Sequence, residues 1–231
     1  MNFIFDLDGT LCDTEFEVSK ITATLANEKG CAISAEDVHL RFAGLRSREK
    51  FAAIAADRHV KLSDDDLTYL ADEHERLKGL IYSRDEVPVI DGVPETLAVI
   101  ENAGIKMSVA SSNPSDVSRR GLSKSGLSKH FNGRVYGSDH VNDRKKPDPA
   151  VFHYAMANDN MAPDDTIIVE DSLSGIKAGH LSGAFVVALM DARFKGRIAQ
   201  QKAKEMKAAG ANAVIRSFDQ LKKFLPGAIN G

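Results

Sequence analysis

The chain has 231 residues, of which 43% are hydrophobic and 27% charged, a composition typical of a soluble globular protein. Its net charge of −3, without a long basic or acidic block, argues against nucleic acid or an anionic membrane as a partner. No run approaches about 18 apolar residues, and acidic side chains interrupt the apolar amino terminus, so we expect neither a membrane span nor a signal peptide. Cys12 and Cys31 are therefore expected to be free thiols in a cytoplasmic protein that is a monomer by default.

The first predicted element is a short buried strand, Phe3 to Phe5, that ends in two acidic residues. Asp6 and Asp8 follow it one residue apart, and Gly9 provides a position where the backbone can turn sharply. Two carboxylates at one strand end form an anionic pocket, which is costly unless a cation or a proton fills it. The pattern predicts a carboxylate nucleophile beside a carboxylate acid/base, both acting on a metal-bound phosphoryl group. The simpler alternative is that either Asp has a turn or capping role.

Residues 14–88 show helical periodicity throughout and contain no convincing strand. The predicted helices cover residues 16–27, 35–42, 48–56 and 64–82. Capping boxes with Asp in place of Glu are predicted at Ser34 with Asp37 and at Ser63 with Asp66. A helical block after the first strand indicates an inserted domain, so we assign residues 14–88 to a helical cap and residues 1–13 and 89–231 to the core.

From about residue 90 onward, strand-like apolar runs alternate with amphipathic helices. The predicted strands cover residues 106–112, 134–137, 166–171, 184–189 and 213–216. The predicted helices cover residues 94–104, 115–128, 149–158 and 173–180. This alternation predicts an α/β fold in which helices cover both faces of a Rossmann-like parallel sheet, with the all-helical domain inserted into it.

Polar side chains follow three of the predicted strands, and in a parallel sheet such strand ends meet at one edge. Besides the acids after the first strand, these are Ser111 and Ser112, and Glu170 and Asp171. Adjacent acids repel each other and are rarely placed for stability, although an N-cap for the next helix is the alternative. Together with Asp6, Asp171 could complete an oxygen site for Mg²⁺, which favours few carboxylates with water and phosphate.

Two further segments are candidates for phosphate binding. Ser111 and Ser112 precede a helix that is predicted to begin near Pro114. A hydroxyl beside the N–H groups of a helix start is suited to binding phosphate. A simple turn explains the two serines equally well. Lys146 could supply a positive charge for a phosphoryl oxygen. Its neighbour Lys145 is the obvious competitor, and surface lysines usually bind nothing specific.

As a set, these residues resemble the four motifs of the haloacid dehalogenase superfamily. The matching segments, in order, are Phe5-Asp6-Leu7-Asp8-Gly9-Thr10, Ser111, Lys146-Pro147 and Glu170-Asp171. The match extends through the whole predicted core, and the helical insertion is similar to the four-helix cap of the sugar-phosphatase and β-phosphoglucomutase-like branch. The resemblance implies an enzyme that acts on a small phosphorylated metabolite, and we expect a sugar phosphatase.

What the resemblance implies for mechanism is a two-step phosphoryl transfer. Asp6 would attack phosphorus and form an aspartyl-phosphate, while Asp8 would protonate the leaving alcohol and then activate water. Mg²⁺ would be held by the Asp6 carboxylate, the Asp8 backbone carbonyl and Asp171, with Glu170 binding it directly or through water. The residues that would hold the phosphoryl oxygens are Ser111, Ser112 and Lys146.

The helical domain supplies the candidates for substrate selection. The segment Gly44 to Arg48 resembles the cap loop of this branch, which faces the substrate. Arg46 or Arg48 could bind a substrate phosphate or hydroxyl, and Glu15 could contact substrate near the start of the domain. For each of them, an exposed charged side chain with no ligand is an equally good interpretation.

Several related activities are alternatives to a phosphatase. A β-phosphoglucomutase shares every core motif but has a His four residues after the position of Thr14, where this chain has Val18. A dehalogenase would not need Asp8 or Asp171, and a phosphonate hydrolase would need a cap lysine and typically has Ala in place of Asp8. A phospho-receiver signalling domain also binds Mg²⁺ with acids, a hydroxyl and a lysine, but it is about half as long and has no inserted domain.

Overall fold

The computed structural model describes residues 1–42, 45–83 and 85–226, and the chain forms two compact units. The core unit combines Met1–Cys12 with the chain from Pro88 onward, and the helical unit consists of Asp13–Val87. Each unit encloses its own hydrophobic interior. Both cysteines are buried free thiols. In the described ranges, no helix has the length and apolar character that a membrane crossing requires.

The core unit is built on a sheet of six parallel strands. They are β1 Asn2–Phe5, β2 Lys106–Ala110, β3 Val135–Tyr136, β4 Thr166–Glu170, β5 Phe185–Leu189 and β6 Ala213–Ile215. The strand order is β3-β2-β1-β4-β5-β6, so the direction of winding reverses at β1. In an open parallel sheet, such a reversal leaves a crevice at the carboxyl ends of the strands. The predicted α/β fold with a parallel sheet is confirmed.

Strand β1 lies between β2 and β4, and its apolar side chains are buried. Phe3, Ile4 and Phe5 have no exposed surface, as expected for a parallel strand that is covered on both faces. The Phe5 ring packs against Phe131 and Phe218, with ring centroids 6.2 and 5.8 Å apart. This packing fixes the end of β1, from which the acidic loop begins.

The helical unit consists of α1 Thr14–Glu28, α2 Ala35–Phe42, α3 Ser47–Asp57 and α4 Asp64–Gly79. Each of these helices contributes to one apolar interior, with Leu25, Val38, Ile54 and Leu70 among the buried side chains. The helix predicted over residues 64–82 ends at Gly79, because glycine disfavours helix, and the chain continues as a 3₁₀ turn over Ile81–Ser83. The inserted all-helical unit of the predicted fold class is confirmed.

Serine residues cap two of these helices. Ser63 and Asp66 form a complete capping box at the start of α4, in which each side chain accepts a backbone N–H of the other residue. At α2, Ser34 Oγ accepts the Asp37 N–H over 3.0 Å. Both caps satisfy backbone donors that have no partner within the helix, and both were predicted from sequence spacing.

Helices α5 Val93–Asn102, α6 Ser115–Lys124, α7 Ala150–Asp159, α8 Leu173–Leu181 and α9 Gly196–Ala208 belong to the core unit. The first four fall where alternation of strand and helix predicts them. Helix α9 is absent from the sequence prediction, because its buried side chains are limited to Ala199 and Met206. It gives β5 and β6 the crossover connection that parallel strands require.

Candidate active site

The carboxyl ends of β1, β2 and β4 bring the predicted polar residues to one edge of the sheet. Phe5 is paired with Val109 of β2 and with Val169 of β4, so Asp6 lies at the level at which both neighbours end. The Asp6 N–H donates to the Val169 carbonyl over 3.0 Å. Loops that are more than 100 residues apart in sequence therefore begin side by side.

Lys146 connects two of the buried acids. Its Nζ donates to Asp6 Oδ1, to Glu170 Oε1 over 2.7 Å and to the Ala110 carbonyl over 2.9 Å. The Lys146 side chain is only 3% exposed, whereas Lys145 is exposed. Of the two lysines between which the sequence left a choice, the one at the strand ends is thus Lys146.

Burial controls the protonation of this group. Burial raises the pKa of Asp6 well above its ordinary value, and Lys146 opposes the rise while Glu170 and Asp8 add to it. Burial alone would lower the pKa of Lys146, but the two carboxylates hold it above its usual range. Burial and the contact with Lys146 thus act on the Asp6 carboxyl in opposite directions.

Asp8 lies on the tight loop after β1. The Gly9 N–H donates to the Cys12 carbonyl, and Gly9 adopts a φ of +79°, which favours glycine. A Cβ at this position would also overlap the carboxylate of Asp171, so the loop approaches that acid closely. Asp8 Oδ2 accepts a 2.7 Å hydrogen bond from Nδ2 of Asn113, in the loop after β2.

The two acids at the carboxyl end of β4 have different surroundings. Glu170 is 1% exposed and accepts from Lys146 at Oε1 and from both the N–H and the hydroxyl of Ser172 at Oε2. Asp171 accepts a 3.0 Å hydrogen bond from Thr10 Oγ1. The helix that follows is capped by the Ser172 hydroxyl, which accepts from the Gly175 N–H. The alternative role of the acids as the side-chain cap is therefore wrong.

The predicted phosphate cradle needs one correction. Ser111 lies at the strand ends, where its Oγ accepts the Asn113 N–H over 3.1 Å, and Ser112 follows it. The N–H and the hydroxyl of Ser115, however, donate to the carboxylate of Asp139 over 2.7 and 2.8 Å. An anion of the chain itself thus occupies the start of α6, leaving the loop before it for a ligand.

The haloacid dehalogenase-like hydrolase family model matches residues 3–189 of the chain. The protein belongs to this family. It is 30% identical over 182 residues to a phosphorylated carbohydrates phosphatase of Thermotoga maritima, covering 78% of this chain and 80% of the relative. It is 27% identical over 175 residues to the 6-phosphogluconate phosphatase of Escherichia coli, covering 76% of each. The family resemblance predicted from the motifs is confirmed.

Solved structures of this haloacid dehalogenase-like family agree in fold. A conserved family protein of Agrobacterium tumefaciens has a TM-score of 0.79 at 28% identity, with 96% of each chain covered. A proposed β-phosphoglucomutase of Thermotoga maritima has a TM-score of 0.69 at 26% identity, with 97% of this chain and all of that chain covered. The shared fold therefore includes both the parallel sheet and the inserted helices.

The predicted substrate residues of the helical unit have unequal surroundings. Arg48 pairs with Asp64 over 2.8 Å and donates to Thr68 Oγ1 over 2.9 Å, both within the helical unit. The guanidinium of Arg48 therefore has partners on α4, and its role in substrate binding stays a prediction. Arg46 is exposed at the start of α3, and Glu15 lies in the first turn of α1. Gly44 of the predicted cap loop lies outside the described residues.

The acidic edge of the core unit fits a hard cation. Its donors are carboxylate and carbonyl oxygens, which Mg²⁺ prefers, and a single ammonium, that of Lys146, contacts the acidic side chains of Asp6 and Glu170. Among residues 1–42, 45–83 and 85–226, no three His, Cys, Asp or Glu side chains form a metal cluster. Carboxylate oxygens suit an ion that takes few of them and completes its coordination with water and substrate.

Three residues of the site were not identified from sequence. Thr10 is fully buried and binds Asp171, while Asn113 binds Asp8 and Asp139 holds the start of α6. Thr10 lies inside the first motif and Asn113 directly follows Ser112, so adjacency was the available signal for both. Asp139 gave no signal, because its role depends on how two loops meet.

Proposed function

We propose that this protein is a Mg²⁺-dependent phosphatase that hydrolyses small phosphomonoesters, with sugar phosphates as the substrate class. The observation that carries the proposal is the contact of Lys146 with both Asp6 and Glu170, beside a second acid, Asp8, on the same loop. Such a pocket combines a nucleophile, a fixed positive charge and an acid/base, which phosphoryl transfer needs. Relatives named as phosphatases of phosphorylated carbohydrates and of 6-phosphogluconate support the substrate class.

The first step forms an aspartyl-phosphate. A carboxylate oxygen of Asp6 bonds to phosphorus, and the ester P–O bond breaks with its electron pair remaining on the alcohol oxygen. Asp8 gives its proton to that oxygen, so a neutral alcohol leaves. Lys146 holds Asp6 in place and supplies positive charge to the phosphoryl oxygens, with Ser111 and Ser112 as further donors.

The second step releases inorganic phosphate. Asp8 takes a proton from water, the water oxygen bonds to phosphorus, and the bond from Asp6 to phosphorus breaks. The Asp6 carboxylate, the Asp8 carbonyl and Asp171 would hold Mg²⁺, and Glu170, whose oxygens already bind Lys146 and Ser172, would contact it through water. When bound, the ion neutralises the charge that develops on the phosphoryl group.

Substrate selection is assigned to the helical unit. The core motifs contact the part that all phosphomonoesters share, so discrimination between alcohols has to come from elsewhere in the chain. We propose Arg46 and Glu15 as the residues to test first, because Arg48 is bound to Asp64.

A β-phosphoglucomutase is the second candidate, and the similar fold of the proposed mutase of Thermotoga maritima favours it. The residue at the position of the mutase histidine, Val18, is buried in the apolar interior of the helical unit and cannot transfer a proton. We therefore prefer the phosphatase. A phospho-receiver domain is not compatible with the family to which the chain belongs.

The deciding experiment is a phosphate-release screen over sugar phosphates, nucleotides and phosphorylated acids, with Mg²⁺ and after its removal by EDTA. We expect turnover that disappears with EDTA, returns with Mg²⁺ and is abolished in D6N, whose amide is not a nucleophile. D164N, at an exposed position outside the pocket, is the matched control and should equal wild type.

Two results would contradict the proposal. Wild-type activity in a folded D6N variant would overturn the nucleophile assignment. Conversion of glucose 1-phosphate into the 6-phosphate without phosphate release would identify a mutase instead.

A further inference from the structure

Asn113 makes direct contact with the proposed acid/base. Its Nδ2 donates to Asp8 Oδ2 over 2.7 Å across 105 residues of sequence. A carboxamide donates without carrying charge, so it can orient a carboxylate without neutralising it. We propose that Asn113 is a positioning residue that sets the orientation of the Asp8 carboxylate for proton transfer to the leaving group. This inference rests on the proposed phosphatase function.

The backbone of Asn113 is held on both sides. Its N–H donates to Ser111 Oγ over 3.1 Å, and its carbonyl accepts the Ser138 N–H over 3.0 Å. Gly137 permits the second contact, because a Cβ there would lie 2.5 Å from the Asn113 carbonyl oxygen. The amide donor therefore projects from a main chain that has little freedom to move.

A second pair of hydrogen bonds reinforces this arrangement two residues later. The N–H and Oγ of Ser115 both donate to Asp139, which lies in the loop after β3. The segment of residues 111–115 and the segment of residues 137–139 are thus joined at two points. A donor fixed in this way is in position before substrate binds, which avoids an ordering cost during the reaction.

The proposed role has a consequence that depends on the leaving group. An alkyl ester releases a strongly basic oxygen, so breaking its P–O bond requires the proton from Asp8. A nitrophenyl ester releases a weakly basic phenolate that needs no proton. Misorienting Asp8 therefore slows formation of the aspartyl-phosphate from the alkyl ester and has little effect on the same step with the nitrophenyl ester.

The test compares wild type, N113A and N113S on a sugar phosphate and on p-nitrophenyl phosphate. We expect kcat/KM for the sugar phosphate to fall by roughly 10- to 100-fold, a part of what general acid catalysis supplies, and for the nitrophenyl ester by less than about threefold. Inhibition by inorganic phosphate and the melting temperature should stay at wild-type values. The matched control is N158A, whose exposed side chain bonds only to the Tyr154 carbonyl among the described contacts and should behave as wild type.

A double-mutant cycle shows whether Asn113 acts through Asp8. In a D8A background, adding N113A should change kcat/KM for the nitrophenyl ester and for the sugar phosphate by less than about twofold, because the group that it positions is gone. A further loss of tenfold or more would overturn the proposal.

Other outcomes are equally decisive. Equal losses on the two esters, together with weaker phosphate inhibition, would identify Asn113 as a phosphate ligand and overturn the positioning role. Unchanged kcat/KM on both esters in N113A and N113S would overturn it as well. If wild type hydrolyses neither ester, the phosphatase proposal fails and this inference fails with it, whereas equal losses in a working enzyme overturn the inference alone.

Discussion

At the scale of single residues, the contact of Lys146 with Asp6 and Glu170 determines the charge of the pocket. Removing the ammonium would leave two buried carboxylates facing each other, which is costly because like charges repel in a medium of low polarity. The position of Glu170 therefore affects Asp6, the proposed nucleophile. The position of Glu170 depends in turn on a glycine in the following helix.

Substitution of Gly175 tests whether the position of Glu170 affects the site. A Cβ at Gly175 would overlap the Glu170 carboxylate, so G175A should displace Glu170 and with it Lys146. We expect kcat to fall on the order of 10- to 100-fold, because small displacements of a catalytic group have large effects on rate. The measurement is steady-state phosphate release by G175A and by G79A, a control in which nothing lies within 4 Å of the added Cβ. Equal activity of the two variants would show that the position of Glu170 does not matter.

Some residues of the site could be predicted from the sequence, and others could not. Asp6, Asp8, Glu170 and Asp171 lie at or just beyond the ends of apolar strands. Neighbouring strand ends meet in a parallel sheet, so the convergence of these acids was predictable. Asn113 was not, because its contact with Asp8 depends on the path of a loop held by hydrogen bonds to another loop.

At the scale of elements, capping contributes to the stability of the helical unit. Ser63 and Asp66 form a reciprocal pair at the start of α4, and Lys29 also pairs with Asp66 over 2.6 Å. The hydrogen bonds to Lys29 and Ser63 hold the pKa of Asp66 well below its usual range, so this carboxylate is charged when α4 forms.

Replacing Ser63 measures that contribution. S63A should lower the free energy of unfolding by about 1 kcal/mol, because a backbone donor of α4 loses its acceptor. The measurement is urea denaturation followed by circular dichroism. S123A, at an exposed position in α6, is the control and should change stability by less than about 0.5 kcal/mol. A loss in S63A no larger than in S123A would contradict the role of the box.

Helices that bury several apolar side chains were predicted from the sequence. Helix α9 was not, because it buries few. Helix α2 begins and ends at the predicted residues because Ser34 marks its start and Val38 and Phe42 mark its buried face. Helix α9 buries only Ala199 and Met206 and is rich in Lys and Gln, so its sequence offers few apolar side chains from which to predict a packed helix.

At the scale of the whole molecule, the two units should respond differently to acid. His74 is buried in the helical unit, where Nδ1 contacts Ser47 Oγ over 2.7 Å and Nε2 contacts Thr22 Oγ1 over 2.8 Å. Burial lowers the pKa of His74 to about 4, and the positive charges of Lys50 and Lys78 act in the same direction. The folded helical unit therefore keeps this imidazole neutral at a pH where the unfolded chain protonates it.

The direction of the pH effect on stability follows from this difference in His74 protonation between the folded and the unfolded chain. Below a pH of about 6.5 the unfolded state binds a proton that the folded state does not, so stability is lost as pH falls to about 4. The shift corresponds to a loss on the order of 3 kcal/mol. Hydrogen exchange at pH 7 and pH 4.5 should show α1 and α4 losing protection before the strands of the sheet do.

His74→Gln should flatten this dependence, because glutamine does not titrate. H153Q, at an exposed position in α7, is the control and should keep the wild-type profile. Equal pH dependence in H74Q and wild type would show that His74 is not the responsible group.

The chain leaves the core unit at Cys12 and returns to it at Pro88, and the flanking backbone is joined at that point. Cys12 forms an antiparallel bridge with Val89, and the Ile90 N–H donates to the Leu11 carbonyl over 3.1 Å. An insertion whose two ends are adjacent can be exchanged for another without stretching the sheet to which it is attached. The chemistry proposed for Asp6 and Asp8 can thus be kept while the inserted segment diverges, so a core of this kind could acquire new substrates by replacement of a single module.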